Sequence, residues 1–122
     1  MGVALVTGTS TGIGSAIALR LAREGHTVYG SVRSEASGEA LLEAAGDLDL
    51  HLVLMDVNDH EAVEQGIGAV LEERGGIDIL VNNAGISGGL AAIEDTPVST
   101  FESVYGTNVL GGVRCIQAVL PG

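Results

Sequence analysis

Residues 7–14, Thr7-Gly8-Thr9-Ser10-Thr11-Gly12-Ile13-Gly14, place three glycines between a short apolar run and an amphipathic one. Gly8, Gly12 and Gly14 lack side chains, so a ligand can approach the backbone there. A helix that begins at such a turn presents unpaired N–H groups and the positive end of its dipole. The chemistry this favours is capture of an anion. After the first strand of an open α/β sheet, that anion is the pyrophosphate of a dinucleotide. The alternative is a plain glycine turn that only lets a strand and a helix pack closely. Further polar residues follow later apolar runs: Arg33, Asp56 before Val57, Asn82-Asn83-Ala84-Gly85, and Asn108 within Thr107-Asn108-Val109.

The elements that must carry these residues alternate in period. Gly2 to Thr7 reads as a buried parallel strand. Ile13, Ala16, Ile17 and Leu21 share one helical face, and Gly25 stops that helix. His26 to Val32 reads as a second strand, weakened by Gly30, and Glu35 to Ala45 as a helix ending near Gly46. His51 to Met55 is a third strand. Asp59 caps a helix whose stripe is Ala62, Val63, Ile67, Val70 and Leu71, and Gly75-Gly76 ends it. Ile77 to Val81 is a fourth strand. Pro97 opens a short helix to about Val104 with Thr96 as its cap, and Val109 to Leu120 forms a last helix closed by Pro121-Gly122. This βαβαβαβαα order predicts a Rossmann-type doubly wound α/β fold, a mostly parallel sheet covered on both faces, as one domain over residues 1–122.

Composition narrows the partners. With 46% apolar and 17% charged residues, this is a folding sequence rather than a disordered one. Five arginines, no lysine and 16 acidic residues give a net charge of −11, which argues against nucleic acid or an anionic membrane surface as partner. No apolar stretch approaches the ~18 residues that cross a bilayer, and the N-terminus lacks the basic segment of a signal peptide. A lone Cys115 among Val113, Ile116 and Val119 reads as a small buried hydrophobe of a reducing compartment. We therefore expect a cytoplasmic protein. His26, His51 and His60 have no metal-ligand spacing and read as ordinary surface or edge residues.

Taken together, the spacing Thr-Gly-x-x-x-Gly-x-Gly from Thr7 to Gly14, Arg33, Asp56-Val57, Asn82-Asn83-Ala84-Gly85 and Thr107-Asn108-Val109 resembles the short-chain dehydrogenases/reductases from Val3 to Pro121. The segments Val28 to Arg33 and Gly112 to Ala118 look closest to the hydroxysteroid- and retinol-type members. An extended-branch sugar-nucleotide epimerase has a different glycine spacing. The resemblance implies a nicotinamide dinucleotide held by Gly8, Thr9, Ser10, Thr11, Gly12, Ile13 and Gly14. It implies that Asp56, with Val57, accepts from the adenine amine, the lesser alternative being a helix-capping Asp. Asn83, Ala84 and Gly85 would lie along the cofactor ribose, and Asn82 would tie strands together. Asn108 would be the catalytic asparagine that holds a water in a proton relay, against the simpler reading of a helix cap. Arg33 offers a planar fork of donors to a 2′-phosphate, with Thr11 adding a hydroxyl, so NADP(H) is expected over NAD(H).

Members of this family move a proton with a tyrosine made acidic by a lysine four residues later, beside a serine. An unassisted phenol, with a pKa near ~10, is a poor base at neutral pH. The chain has no lysine, Tyr29 and Tyr105 lie outside such a motif, and Ser87 is not the catalytic serine. The reading is therefore a Rossmann domain truncated before the catalytic Ser and Tyr-x-x-x-Lys segment, inactive alone. It would be the NADP(H)-binding part of an oxidoreductase that interconverts an alcohol and a ketone or aldehyde and that is a homo-oligomer when complete. The alternative is a short non-catalytic nucleotide-binding or interaction module. Only Ile86 to Ile93 would reach a substrate, so its identity is open.

Overall fold

The structure is a computed structural model that describes residues 1–86, 89 and 91–120. Ser87, Pro121 and Gly122, which the sequence reading used, lie outside them. Four strands, β1 (Val3–Val6), β2 (Thr27–Val32), β3 (Leu50–Leu54) and β4 (Ile79–Val81), form one parallel sheet in the order β3-β2-β1-β4. Helices α1 (Gly12–Arg23), α2 (Glu35–Ala45) and α3 (His60–Arg74) make the crossovers. The expected fold class is the observed one.

Side-chain alternation along the strands builds two cores. Ala4, Val6, Val28 and Leu50 pack with Ala18 and Ala22 of α1 and Leu41 and Ala45 of α2. Leu5, Tyr29 and Val53 face the other way, onto Val63, Ile67 and Val70 of α3 and onto Cys115. A period of two sends neighbouring residues to opposite faces, so nearly continuous aliphatic strands are what two covered faces require. Gly30 does not break β2. A Cβ there would sit 2.6 Å from Thr9 Oγ1, so the missing side chain makes room for the glycine turn.

The caps behave as local chemistry dictates. Asp59 accepts from the Ala62 amide at 3.1 Å to start α3, and Gly75 closes it in the left-handed conformation at φ 84°. Ser34 and Ser37 cap α2 reciprocally.

The last third departs from expectation. Thr96 does not cap the next helix. Its hydroxyl donates back to Ala92 O at 2.9 Å beside the 3₁₀ turn Ile93–Asp95, and Pro97 takes the cap position ahead of α4 (Val98–Tyr105). Nor does Asn108 begin a separate helix. Helix α4 runs through a π-helical turn, Gly106–Leu110, directly into α5 (Gly111–Val119), so Asn108 sits inside the widened turn. The backbone stays in the right-handed helical region through Gly106 and Gly111, and nothing there ends the helix. None of the described helices is long and apolar enough to cross a membrane.

Cys115 is fully buried, and burial pushes its thiol up to about 11. It is expected to resist alkylation at pH 8 in the native chain and to react fully on denaturation; rapid native labelling would contradict the packing. Phe101, Tyr105, Val109, Val113, Ile116 and Leu120 of the α4–α5 segment are exposed, Leu120 by 75%. Sedimentation of the chain at rising concentration is therefore expected to show association, and a strictly monomeric profile would contradict it.

Candidate dinucleotide-binding site

Parallel strands bring their carboxyl ends to one edge of the sheet, and the residues that follow β1, β2, β3 and β4 meet there. They line a cleft of about 490 Å³ that includes Gly8, Ser10, Thr11, Arg33, Asp56, Val57, Asn83, Ala84 and Gly85. The volume falls within the range of small-molecule sites, roughly 300–1,000 Å³.

Of the glycine turn, Ser10 and Thr11 face the cleft, and Thr11 is exposed in the N-cap position of α1 with no side-chain bond to the first helical turn. No acidic residue occupies that turn. The leading amides of α1 are thus left uncapped, with no carboxylate to compete for them. Gly8 and Gly12 adopt φ of 69° and 63°, a conformation that opposes any side chain. Gly14 is buried, and a Cβ there would lie 2.2 Å from Gly8 O, so it lets the helix press against the turn. Ile13 projects outward, 73% exposed.

Thr9 is placed differently from the remainder of the turn. It is fully buried; its amide and its hydroxyl both donate to Ser31 O, at 3.0 and 3.1 Å. Gly8 N donates to Ser31 Oγ at 3.1 Å. Ser31 of β2 therefore holds the turn from below. It was missed in the sequence, where a serine inside an apolar strand was the available signal.

The opposite side is held by Thr7. Its hydroxyl accepts from the Asn83 and Ala84 amides at 3.1 and 3.0 Å, while Asn83 Nδ2 donates to Gly8 O at 3.0 Å. The tie between strands expected of Asn82 is made instead by Asn83 and Thr7, between the ends of β1 and β4. Asn82 is exposed and makes no hydrogen bond among the described residues. The bond to Gly8 O engages the Asn83 amide nitrogen within the protein.

Arg33 stands exposed just past β2, on the cleft, with no ion pair or hydrogen bond among the described residues. Asp56 is half-buried, and one carboxylate oxygen accepts from the Asn58 amide at 2.9 Å. Capping of α3 falls to Asp59, so the helix-cap alternative for Asp56 is removed. Val57 is buried and lines the cleft beside it. Asn108 is pinned by two reciprocal bonds: Oδ1 accepts from Ile86 N at 2.8 Å, and Nδ2 donates to Ile86 O at 2.9 Å. A Cβ on Gly85 would approach its Oδ1 to 3.1 Å. Asn108 is therefore no helix cap but a brace for the segment after β4.

Tyr29 lies apart from the cleft on the α3 face. Its ring stacks on His51 with centroids 5.1 Å apart, and its hydroxyl accepts from Arg74 Nε at 2.8 Å. Asp49, paired with His51 at 2.6 Å, is held below the usual carboxylate range, first by the Thr27 hydroxyl and then by His51. Among the described residues no cluster of His, Cys, Asp and Glu could hold a metal ion.

The chain and its fold match known proteins. The family model of short chain dehydrogenases matches residues 2–122. An NADPH-dependent pterin aldehyde reductase of Arabidopsis thaliana is 37% identical over 118 residues, 96% of this chain and 49% of that protein. An NADP-dependent 3-hydroxy acid dehydrogenase of Shigella flexneri is 35% identical over 98% of this chain and 48% of its own length. A variant of actinorhodin polyketide ketoreductase solved with NADPH superposes with a TM-score of 0.91 at 36% identity, covering 98% of this chain and 46% of that one. The chain spans about half the length of the curated relatives it matches. With the family model matching residues 2–122 and the fold superposing on a solved ketoreductase, the chain belongs to the short-chain dehydrogenase family.

Proposed function

We propose that residues 1–122 form the NADP(H)-binding part of a short-chain oxidoreductase that interconverts an alcohol and a ketone or aldehyde. The observation that carries this reading is one cleft lined both by Ser10 and Thr11, which lead into the uncapped start of α1, and by Arg33, which has no partner among the described residues. When bound, the nicotinamide supplies or accepts the hydride.

The chain's own residues then bind and orient. The first-turn amides of α1, with Ser10 and Thr11, take the pyrophosphate. Arg33 and Thr11 take the 2′-phosphate, and a free guanidinium fork suits a dianion better than a 2′-hydroxyl. Asp56 keeps one carboxylate oxygen for the adenine amine, against the apolar wall of Val57. Ala84 and Gly85 flank the ribose, and Asn83 acts chiefly by fixing Gly8. Thr9 acts by locking the turn rather than by touching the ligand. Asn108, its amide fixed on Ile86, leaves the backbone of the π-turn to position the relay water. With no lysine in the chain and Tyr29 bound to Arg74, proton transfer by a tyrosine–lysine pair is not a task of these residues. Relatives named for NADPH or NADP dependence support the same cofactor preference. The exposed apolar residues of α4 and α5 support a homo-oligomer.

Titration of the chain with NADPH and NADH by nicotinamide fluorescence tests the reading. NADPH is expected to bind more tightly, and Arg33→Asp to weaken NADPH by roughly 10- to 100-fold, reversing the preference. An unchanged ratio of the two affinities would remove Arg33 from the site.

A further inference from the structure

Two side chains donate across one gap, in opposite directions, between the Asp56–Asn58 wall of the cleft and the π-turn. From α5, Arg114 Nη1 donates to Val57 O at 2.9 Å and lies 3.4 Å from Gly106 O. From the wall, Asn58 Nδ2 donates to Thr107 Oγ1 at 2.7 Å, and Thr107 is itself buried. At the same seam Gly111 presses on Val57 so closely that a Cβ would lie 2.7 Å from Val57 Cγ2. Gly106 O already accepts the Gly111 amide across the widened turn. Its second lone pair faces a cationic donor.

A π-turn departs from the ordinary i→i−4 ladder, and such turns recur at functional sites. Here the departure lies beside Asn108, the residue that holds Ile86. We propose that Arg114 is a positioning residue that locks the π-turn carrying Asn108 to the cleft wall carrying Asp56 and Val57. The adenine end of a bound dinucleotide and the Asn108 end of the site then share one rigid support. The coupling rests on the dinucleotide reading above, whereas the hold of Arg114 on the turn does not. Arginine suits the task because one planar cation reaches carbonyls on two separate elements.

The test is amide hydrogen exchange at Gly111, whose N–H closes the π-turn, in wild type, R114A and R114K. It is measured with and without adenosine 2′,5′-bisphosphate, a probe of the adenine end alone. Without ligand, R114A is expected to speed Gly111 exchange roughly tenfold or more, with R114K in between. With ligand, wild type is expected to gain protection at Gly111 and R114A to gain none while still binding. Equal Gly111 exchange in wild type and R114A, or equal protection by the ligand in both, overturns the proposal. So does an acceleration shared by sheet amides such as Leu5, which would make Arg114 a general stabiliser. If R114A does not fold, R114K carries the same comparison. Failure of the bisphosphate to bind wild type overturns the dinucleotide reading and the coupling together, and the ligand-free exchange still decides whether Arg114 holds the turn.

Discussion

A chain of net charge −11 repels anions at long range, so any attraction for one must come from groups that cannot be screened away by the surface carboxylates. On the proposed reading it comes from oriented backbone amides at the start of α1, reinforced by the Arg33 guanidinium, which has no partner among the described residues. Those amides point outward only if the turn before them keeps its shape. Much of the described polar network serves that end: Ser31 below, Thr7 and Asn83 beside, Gly14 and Gly30 giving room. The site is therefore electrostatically local.

The fold was largely legible because parallel strands and their crossover helices differ sharply in hydrophobic period, and because Gly and Asp mark their ends. Asp59 and Gly75 cap α3 as their residue types demand. The tail of the chain was less legible. Thr96-Pro97 looked like a cap and a first turn, but Thr96 bonds backward to Ala92. Helix continuity through Gly106 to Gly111 had no local signal, since two glycines within six residues read as an interruption; buried packing of Gly111 on Val57 overrides their low propensity.

Within the site, what sequence motifs revealed was proximity rather than orientation. Residues of the glycine turn fall into two groups that spacing does not separate: those that face the cleft and those, like Thr9, whose polar groups face inward. The same holds for Asn82 and Asn83, identical in type and adjacent, yet only the second bonds to the turn. Orientation depends on which strand face a residue occupies and on partners more than 20 positions away, such as Ser31 for Gly8 and Thr7 for Asn83. Ser31, Asn58 and Arg114 were given no role at the site in the sequence reading for that reason.

The sheet order also bears on how the chain reaches this state. Central strand β1 pairs with β2 at a separation of 24 residues (Val3 to Thr27) but with β4 at 75 residues (Ala4 to Ile79). Closing the longer loop costs about 1 kcal/mol more in chain entropy. On a ribosome, too, β4 emerges well after β1, β2 and β3. The β3-β2-β1 layer with α1 and α2 can thus assemble first, with the Thr7 hydroxyl waiting for the two amides it will accept. The Asn83–Gly85 wall of the cleft arrives only with β4, so the cleft closes only after the first three strands have assembled.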